Sequence, residues 1–166
     1  MTHLTFKGNP IHLVGEPPKA GEKAKDFSLV KGDLSRLTLK ELKNTRLVLN
    51  VFLSLDTSTC AASVRNFNKA ATSLNNTKVL CISKDLPFAQ SRFCAAEGIE
   101  NVIMLSDFAT GEFGKNYGIE ITNQPLEGLL SRTVIIIDEN GIVSYVQQVT
   151  ENSHEPNYDE VLKALK

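Results

Sequence analysis

The segment of residues 46–76 constrains the fold of this chain more than any other part of the sequence. Residues 46–53 form a short, almost unbroken run of apolar, β-forming side chains, which is typical of a buried strand. Residues 54–59 are rich in hydroxyl and carboxylate side chains, which favour turns and helix caps. Apolar side chains then recur at the spacing of one helix face: Val64, Phe67, Ala71 and Leu74. The segment therefore predicts a buried strand, a capping loop and a helix.

Cys60 falls in the first turn of this predicted helix. The amide N–H groups of a first turn have no partners within the helix, and the helix dipole adds partial positive charge there. A thiolate is favoured at such a position, and the thiolate is the nucleophilic form of cysteine. Free cysteines are also common as small apolar core residues. Position alone therefore leaves two interpretations of Cys60 open, a reactive thiol and a packing residue.

Composition limits the class of protein. The 166 residues fit one domain, residues 1–166, and 18 basic against 19 acidic residues give a net charge of -1 without long runs of either sign. We therefore expect neither nucleic acid nor a membrane as a partner. The N-terminus lacks the apolar core of a signal peptide, which predicts a cytoplasmic protein. Three cysteines, an odd number, favour free or redox-active thiols, and no spacing of ligands indicates a metal or a cofactor.

The rest of the chain predicts an α/β fold with a mixed central sheet flanked by helices. Alternating apolar and polar residues around a turn at residues 7–10 predict an N-terminal β-hairpin over residues 3–14. A capping-box pattern at residues 38–41 predicts a brief helix. Further strands are predicted at residues 26–30, 78–83, 101–106, 133–137 and 142–149, and further helices at residues 86–97, 112–117 and 157–166.

Two further cysteines and one arginine stand out. Cys81 lies in the middle of a predicted buried strand, which indicates an inert core thiol. Cys94 falls on the polar side of a helix whose core positions are predicted to be Leu86, Ala89, Phe93 and Ala96, so we interpret it as a partly exposed, reactive thiol rather than a chance surface cysteine. Arg132 directly precedes the strand at residues 133–137, where it either projects over the end of the sheet or is an ordinary surface arginine.

Three separated features resemble one protein family. Residues 56–68, Cys94, and the sequence Leu-Leu-Ser-Arg at residues 129–132 ahead of a β-hairpin resemble the bacterial thiol peroxidases, the atypical two-cysteine branch of the peroxiredoxins. The resemblance covers essentially the whole chain and implies a thioredoxin-like fold. It differs at Leu53 and Lys25, where peroxiredoxins usually have proline.

The resemblance also implies a role for each candidate site residue. Cys60 corresponds to the peroxidatic cysteine, Cys94 to the resolving cysteine, Thr57 to the hydroxyl that binds sulfur and peroxide, and Arg132 to the guanidinium beside the thiolate. The implied enzyme reduces hydrogen peroxide and alkyl hydroperoxides through a Cys60 sulfenic acid and an intramolecular Cys60–Cys94 disulfide. Thioredoxin would reduce that disulfide, no cofactor is needed, and a homodimer is usual for the family.

Disulfide formation and the change at Leu53 raise two further points. A disulfide requires Cα atoms within about 7 Å, so we expect the helix around Cys94 to unwind locally in each cycle, since Cys60 is predicted on a separate helix. The missing proline at Leu53 keeps an alternative open, namely a peroxide-responsive redox sensor or thiol-switched binding protein that uses the same cysteine pair. A third possibility is a thioredoxin-like module whose cysteines are idle.

Overall fold

The N-terminal hairpin forms a small sheet of its own. The computed structural model describes residues 3–166. Strand β1 (Leu4–Phe6) pairs antiparallel with β2 (Asn9–Ile11) around a two-residue turn. Both turn residues, Lys7 and Gly8, have positive φ, +50° and +81°, as the favoured tight hairpin turns require. The predicted hairpin is confirmed, but Asn9 and Pro10 lie in β2 rather than in the turn.

The other strands form one mixed sheet of seven strands. They are β3 (Ser28–Val30), β4 (Arg36–Thr38), β5 (Arg46–Val51), β6 (Thr77–Ser83), β7 (Ile103–Ser106), β8 (Thr133–Ile137) and β9 (Val143–Gln148). Their order is β4-β3-β7-β6-β5-β8-β9; β5, β6 and β7 run parallel, and the other pairs are antiparallel. Every residue of β8 is buried, which accounts for its unbroken run of β-branched side chains.

Helices cover both faces of this sheet. They are α1 (Ser58–Ala71), α2 (Pro87–Glu97), α3 (Glu112–Asn116) and α4 (Tyr158–Ala164), with a 3-10 turn at Leu39–Leu42. One hydrophobic cluster joins α1, α2 and α4 to one face, and a second joins α3 and the 3-10 turn to the other. The predicted mixed sheet flanked by helices is therefore confirmed. Across residues 3–166, no helix combines the length and the apolarity that a membrane span needs.

The register of the sheet brings distant segments of the chain to one edge. Val51, at the end of β5, pairs with Thr133, at the start of β8, and Thr133 pairs with Gln148, at the end of β9. The loop that leads from β5 into α1, the residue before β8 and the segment after β9 therefore meet at the same edge of the sheet. Residues 52–60, Arg132 and residues 149–153 become neighbours through this register.

Helix α2 buries a different face from the one predicted. Its start at Pro87 and its end before Gly98 agree with the sequence prediction. The predicted core stripe is confirmed only at Phe93, which packs against the hydrophobic cluster, and it is wrong at Leu86, which is 51% exposed, and at Ala96, which is exposed as well. The buried residues of the helix are Pro87 and Gln90, neither of which was predicted to face the core.

Hydrogen bonds explain why a polar side chain occupies the inner face of α2. Gln90 Nε2 donates to the carbonyl oxygen of Leu105 (2.8 Å) and to Ser83 Oγ (3.3 Å), both beneath the helix. Cys94 lies one turn after Gln90 and packs with Phe93 against the hydrophobic cluster under α1 and α2. Its predicted partial exposure is confirmed, but its placement on an outward polar side is wrong.

Candidate active site

The capping loop places Cys60 at the third residue of α1. Thr57 is the N-cap residue, and its Oγ1 accepts a hydrogen bond from the Cys60 N–H (3.2 Å). The same hydroxyl donates to the carbonyl oxygen of Ser54 (3.1 Å). Thr57 therefore fixes the start of the helix to the preceding loop, as N-cap residues do. Its role in binding sulfur and peroxide stays a prediction, since its hydroxyl proton is donated to Ser54 in this arrangement.

Arg132 contacts the sulfur of Cys60. Its Nη2 lies 3.0 Å from the Cys60 Sγ, and the two residues are 1% and 0% exposed. The contact follows from the register that brings the start of β8 beside the loop after β5. A guanidinium held against sulfur away from bulk water stabilises negative charge on that sulfur more strongly than an exposed cation would. Burial also excludes the alternative of an ordinary surface arginine.

Asn152, which the sequence analysis did not single out, holds Arg132 in place. Its Oδ1 accepts the backbone N–H of Arg132 (2.7 Å) and the hydroxyl of Ser131 (3.1 Å). Its backbone carbonyl accepts Nε–H of Arg132 (3.0 Å), and its own Nδ2 donates to the carbonyl oxygen of Val149 (2.9 Å). Asn152 is wholly buried. The guanidinium is thus tethered through Nε, with its two terminal nitrogens directed elsewhere.

The two terminal nitrogens of Arg132 differ in their partners. Nη1 is buried, yet it has no hydrogen-bond partner among residues 3–166. Buried N–H groups normally have partners, because leaving one unpaired costs free energy. A donor in this state beside the Cys60 sulfur suits an oxygen atom of an approaching substrate.

The segment that contains Asn152 also receives the N-terminal hairpin. The Asn152 N–H donates to the carbonyl oxygen of Thr5 (2.7 Å). The carboxylate of Glu151 accepts both backbone N–H groups of the hairpin turn (3.1 and 2.8 Å). Burial by itself would raise the pKa of Glu151, but hydrogen bonds from Ser153 and from the hairpin turn outweigh it and hold the pKa well below its usual range. The hairpin is therefore attached to the segment that positions Arg132.

The other two thiols have different surroundings. Cys81 is wholly buried in β6, and burial raises its pKa to about 12 despite an opposing hydrogen bond from Asn50. The interpretation of Cys81 as a buried core thiol is confirmed. Cys94 is partly buried in α2, and burial raises its pKa as well. All three cysteines are free thiols.

The structure thus brings three of the four predicted site residues together. Cys60, Thr57 and Arg132 meet at the start of α1, whereas Cys94 lies in a separate helix without a hydrogen bond to any of them within the described chain. A thiolate beside a fixed cation and a free donor can attack an electrophilic oxygen and stabilise the departing one. Within residues 3–166, no group of three or more His, Cys, Asp or Glu side chains is arranged to hold a metal ion.

Comparisons with known proteins agree with this geometry. The Redoxin family matches residues 19–162. A thiol peroxidase of Corynebacterium glutamicum is 52% identical over 165 residues, which are 99% of this chain and 99% of that protein. The solved peroxiredoxin-like protein of Aquifex aeolicus is 39% identical, with a TM-score of 0.94 over 99% of this chain and 96% of its own.

A second solved structure extends the likeness in fold. The thiol peroxidase of Chromobacterium violaceum has a TM-score of 0.91 over 99% of this chain and 96% of its own, at 23% identity. The predicted thioredoxin-like fold and the predicted family are therefore confirmed. This chain belongs to the redoxin family and is a peroxiredoxin enzyme of the thiol peroxidase group.

Proposed function

We propose that the enzyme reduces hydrogen peroxide and alkyl hydroperoxides at Cys60. The observation that carries the proposal is the buried contact of 3.0 Å between Arg132 Nη2 and Cys60 Sγ, with Nη1 of the same guanidinium free to bind a substrate oxygen. The thiolate attacks one peroxide oxygen, so an S–O bond forms while the O–O bond breaks. Sulfur is oxidised to sulfenic acid by two electrons, and the departing hydroxide or alkoxide takes up a proton to leave as water or alcohol.

Cys94 completes the proposed cycle as the resolving cysteine. Its sulfur attacks the Cys60 sulfenic acid, which forms the S–S bond and releases water. Both cysteines lie in regular helix, Cys60 in the first turn of α1 and Cys94 near the end of α2. We therefore propose that α2 unwinds locally during this step. Unwinding would also expose Cys94 to water and remove the burial that raises its pKa.

Two further parts of the cycle are proposed on the family resemblance: a hydrogen bond from Thr57 to the bound peroxide, and thioredoxin as the dithiol that reduces the disulfide. On the same resemblance we propose that the protein is a homodimer and that residues 1–166 form a single domain. Three free cysteines suit the reducing environment of the cytoplasm, which is the compartment we propose.

Thiol titration before and after one equivalent of peroxide tests the proposal. We expect free thiols to fall from three to one in the wild type. In Cys94→Ser, a sulfenic acid at Cys60 should be trapped, and Cys81→Ala serves as the matched control, because it removes a buried thiol that the cycle does not use. Three free thiols after peroxide treatment of the wild type would overturn the proposal.

Turnover separates the enzyme from a redox switch. With thioredoxin, thioredoxin reductase and NADPH in excess, we expect many peroxide molecules to be consumed per molecule of protein. Consumption of one equivalent, with no further turnover under any dithiol reductant, would instead indicate a peroxide-responsive switch that uses the same cysteine pair.

A further inference from the structure

We infer that Asp85 is a positioning residue that joins the loop before Cys60, through Ser83, to Gln90 of α2, and so affects how readily α2 unwinds while the loop stays in place. The inference rests on the proposed function, because it concerns the balance between oxidation of Cys60 and its resolution by Cys94. Asp85 lies between β6 and α2 and contacts neither sulfur through a hydrogen bond. Its effect therefore acts through the backbone segments that it joins.

The carboxylate of Asp85 binds the Cys60 loop with both oxygens. Oδ1 accepts the hydroxyl of Ser54 (2.8 Å), and Oδ2 accepts the backbone N–H of Leu55 (2.8 Å). Ser54 in turn accepts the hydroxyl of Thr57 at its carbonyl oxygen, and Thr57 accepts the N–H of Cys60. Asp85 is thus linked to the backbone of the reactive cysteine through two residues, Ser54 and Thr57.

The same carboxylate is linked to α2. Oδ2 of Asp85 also accepts the hydroxyl of Ser83 (2.7 Å), and Ser83 Oγ accepts Nε2 of Gln90 (3.3 Å) from the inner face of the helix. Gln90 lies one turn before Cys94. Asp85 therefore stands at the junction of two hydrogen-bonded branches, one that ends at Cys60 and one that ends on the buried face of the helix carrying Cys94.

Hydrogen bonds alone hold this carboxylate, since Asp85 forms no ion pair within the described chain. Charge-assisted hydrogen bonds from three donors make the junction strong and directional. Within residues 3–166, two ion pairs reach α2 from the segment that carries Cys60: Arg92 pairs with Asp56 at 3.9 Å, and Glu97 pairs with Arg65 of α1. All four side chains are partly or largely exposed to solvent, and exposed pairs contribute little. Asp85 is thus the main polar link between the loop and α2.

The α2 branch is the weaker side of the junction. Gln90 Oε1 is buried and accepts no hydrogen bond within residues 3–166. An unpaired buried acceptor destabilises the packed helix relative to an unwound one in which the amide meets water. Release of α2 is therefore favoured over release of the loop. The Asp85 junction and the hydrogen bond from Gln90 to the carbonyl oxygen of Leu105 together hold α2 while Cys60 reacts with peroxide.

This arrangement predicts opposite effects on the two chemical steps. Oxidation of Cys60 needs the capped loop and the helix start in place, whereas attack of Cys94 on the sulfenic acid needs α2 to leave its place. Weakening the junction should slow the first step and speed the second. A role confined to general stability would slow both or change neither.

The test is Asp85→Asn, with Asp56→Asn as the matched control on the exposed ion pair. Sulfenic acid formation is measured by quenched-flow mass spectrometry in a Cys94→Ser background, and disulfide formation is measured in the background with all cysteines. We expect disulfide formation to accelerate about tenfold, the scale of one lost charge-assisted hydrogen bond, and sulfenic acid formation to slow. The yield of sulfinic acid at high peroxide should fall, because resolution competes better with a second oxidation.

Slowing of both steps, whether equal or not, or no change in either would overturn the inference. Ser54→Ala removes one donor from the loop side of Asp85 and gives a second, milder variant if Asp85→Asn fails to fold. It should shift the two rates in the same opposite directions. Failure of the inference is distinct from failure of the proposed function, because the latter is judged on turnover of the wild-type protein alone.

Discussion

Replacement of Arg132 by methionine removes the cation from the sulfur while keeping an unbranched side chain in the core. At the observed 3.0 Å, two unit charges interact by about 5.5 kcal/mol at an effective dielectric constant of about 20, which sets an upper limit. Hydrogen bonds to charged groups contribute about 1.5 to 3 kcal/mol net, because desolvation offsets part of the attraction. At about 1.4 kcal/mol per factor of ten, the rate constant for oxidation of Cys60 should fall roughly 10- to 100-fold in Arg132→Met.

The chain contains no tryptophan, so the rate constant is best measured by competition with a second peroxidase for limiting hydrogen peroxide. Arg92→Met is the matched control, since that arginine is 72% exposed and makes a long ion pair with Asp56. Asn152→Ala keeps the guanidinium and the backbone carbonyl that binds its Nε, but removes the side-chain oxygen that accepts the backbone N–H of Arg132. The rate constant of this variant should fall between those of wild type and Arg132→Met. A folded Arg132→Met protein that reacts as fast as the control would refute the reasoning.

Three further outcomes are expected. Glu151→Gln should destabilise the attachment of the hairpin at neutral pH. Because the pKa of Glu151 is held below its usual range, the ionised carboxylate stabilises the folded protein above about pH 4.3, and this stabilisation is lost as pH falls. The thermal unfolding temperatures of wild type and variant should therefore converge in acid. Cys81→Ala should keep full peroxidase turnover with one thiol fewer in titration, and a loss of turnover would contradict its burial in β6. Gly118→Ala should lower the thermal unfolding temperature more than Gly98→Ala does. Both glycines have positive φ, so both substitutions strain the backbone. A Cβ at Gly118 would in addition lie 2.2 Å from the carbonyl oxygen of Glu16, whereas a Cβ at Gly98 would meet no atom within 4 Å.

Local signals in the sequence were sufficient for the β5–α1 unit. A continuous apolar run, a cluster of capping side chains and a helical stripe agree on one structure over residues 46–74, and Cys60 falls where that structure predicts. The burial of Gln90 was not predictable in the same way. Its place on the inner face of α2 depends on partners in β6 and β7, which lie 7 and 15 positions away along the chain. Periodicity assumes that polar side chains face water, and it fails where a polar side chain finds buried partners.

The role of Asn152 in holding Arg132 could not be predicted from the sequence, for a related reason. Nothing near Asn152 in the sequence distinguishes it from other asparagines in loops, and its partners lie 20 and 21 positions earlier. Only the pairing of β8 with β9 brings the two segments together. A site residue that acts on another residue, rather than on a substrate, leaves no local chemical pattern. Its role becomes visible when the register of the sheet is known.

The attachment of the hairpin to residues 151 and 152 has a consequence for how the enzyme can be handled. Within residues 3–166, no hydrogen bond joins the first strand to Cys60 or Cys94, yet the first strand accepts a hydrogen bond from Asn152, the residue that orients the guanidinium. A bulky fusion at the N-terminus, or a protease cut directly after the hairpin, would loosen Asn152 and so lower the rate at which Cys60 reacts, although neither change is made at the active site. Affinity tags are therefore better placed after α4, because the carbonyl oxygen of Leu165 there accepts a hydrogen bond from Arg46, at the end of β5 opposite to the Cys60 loop.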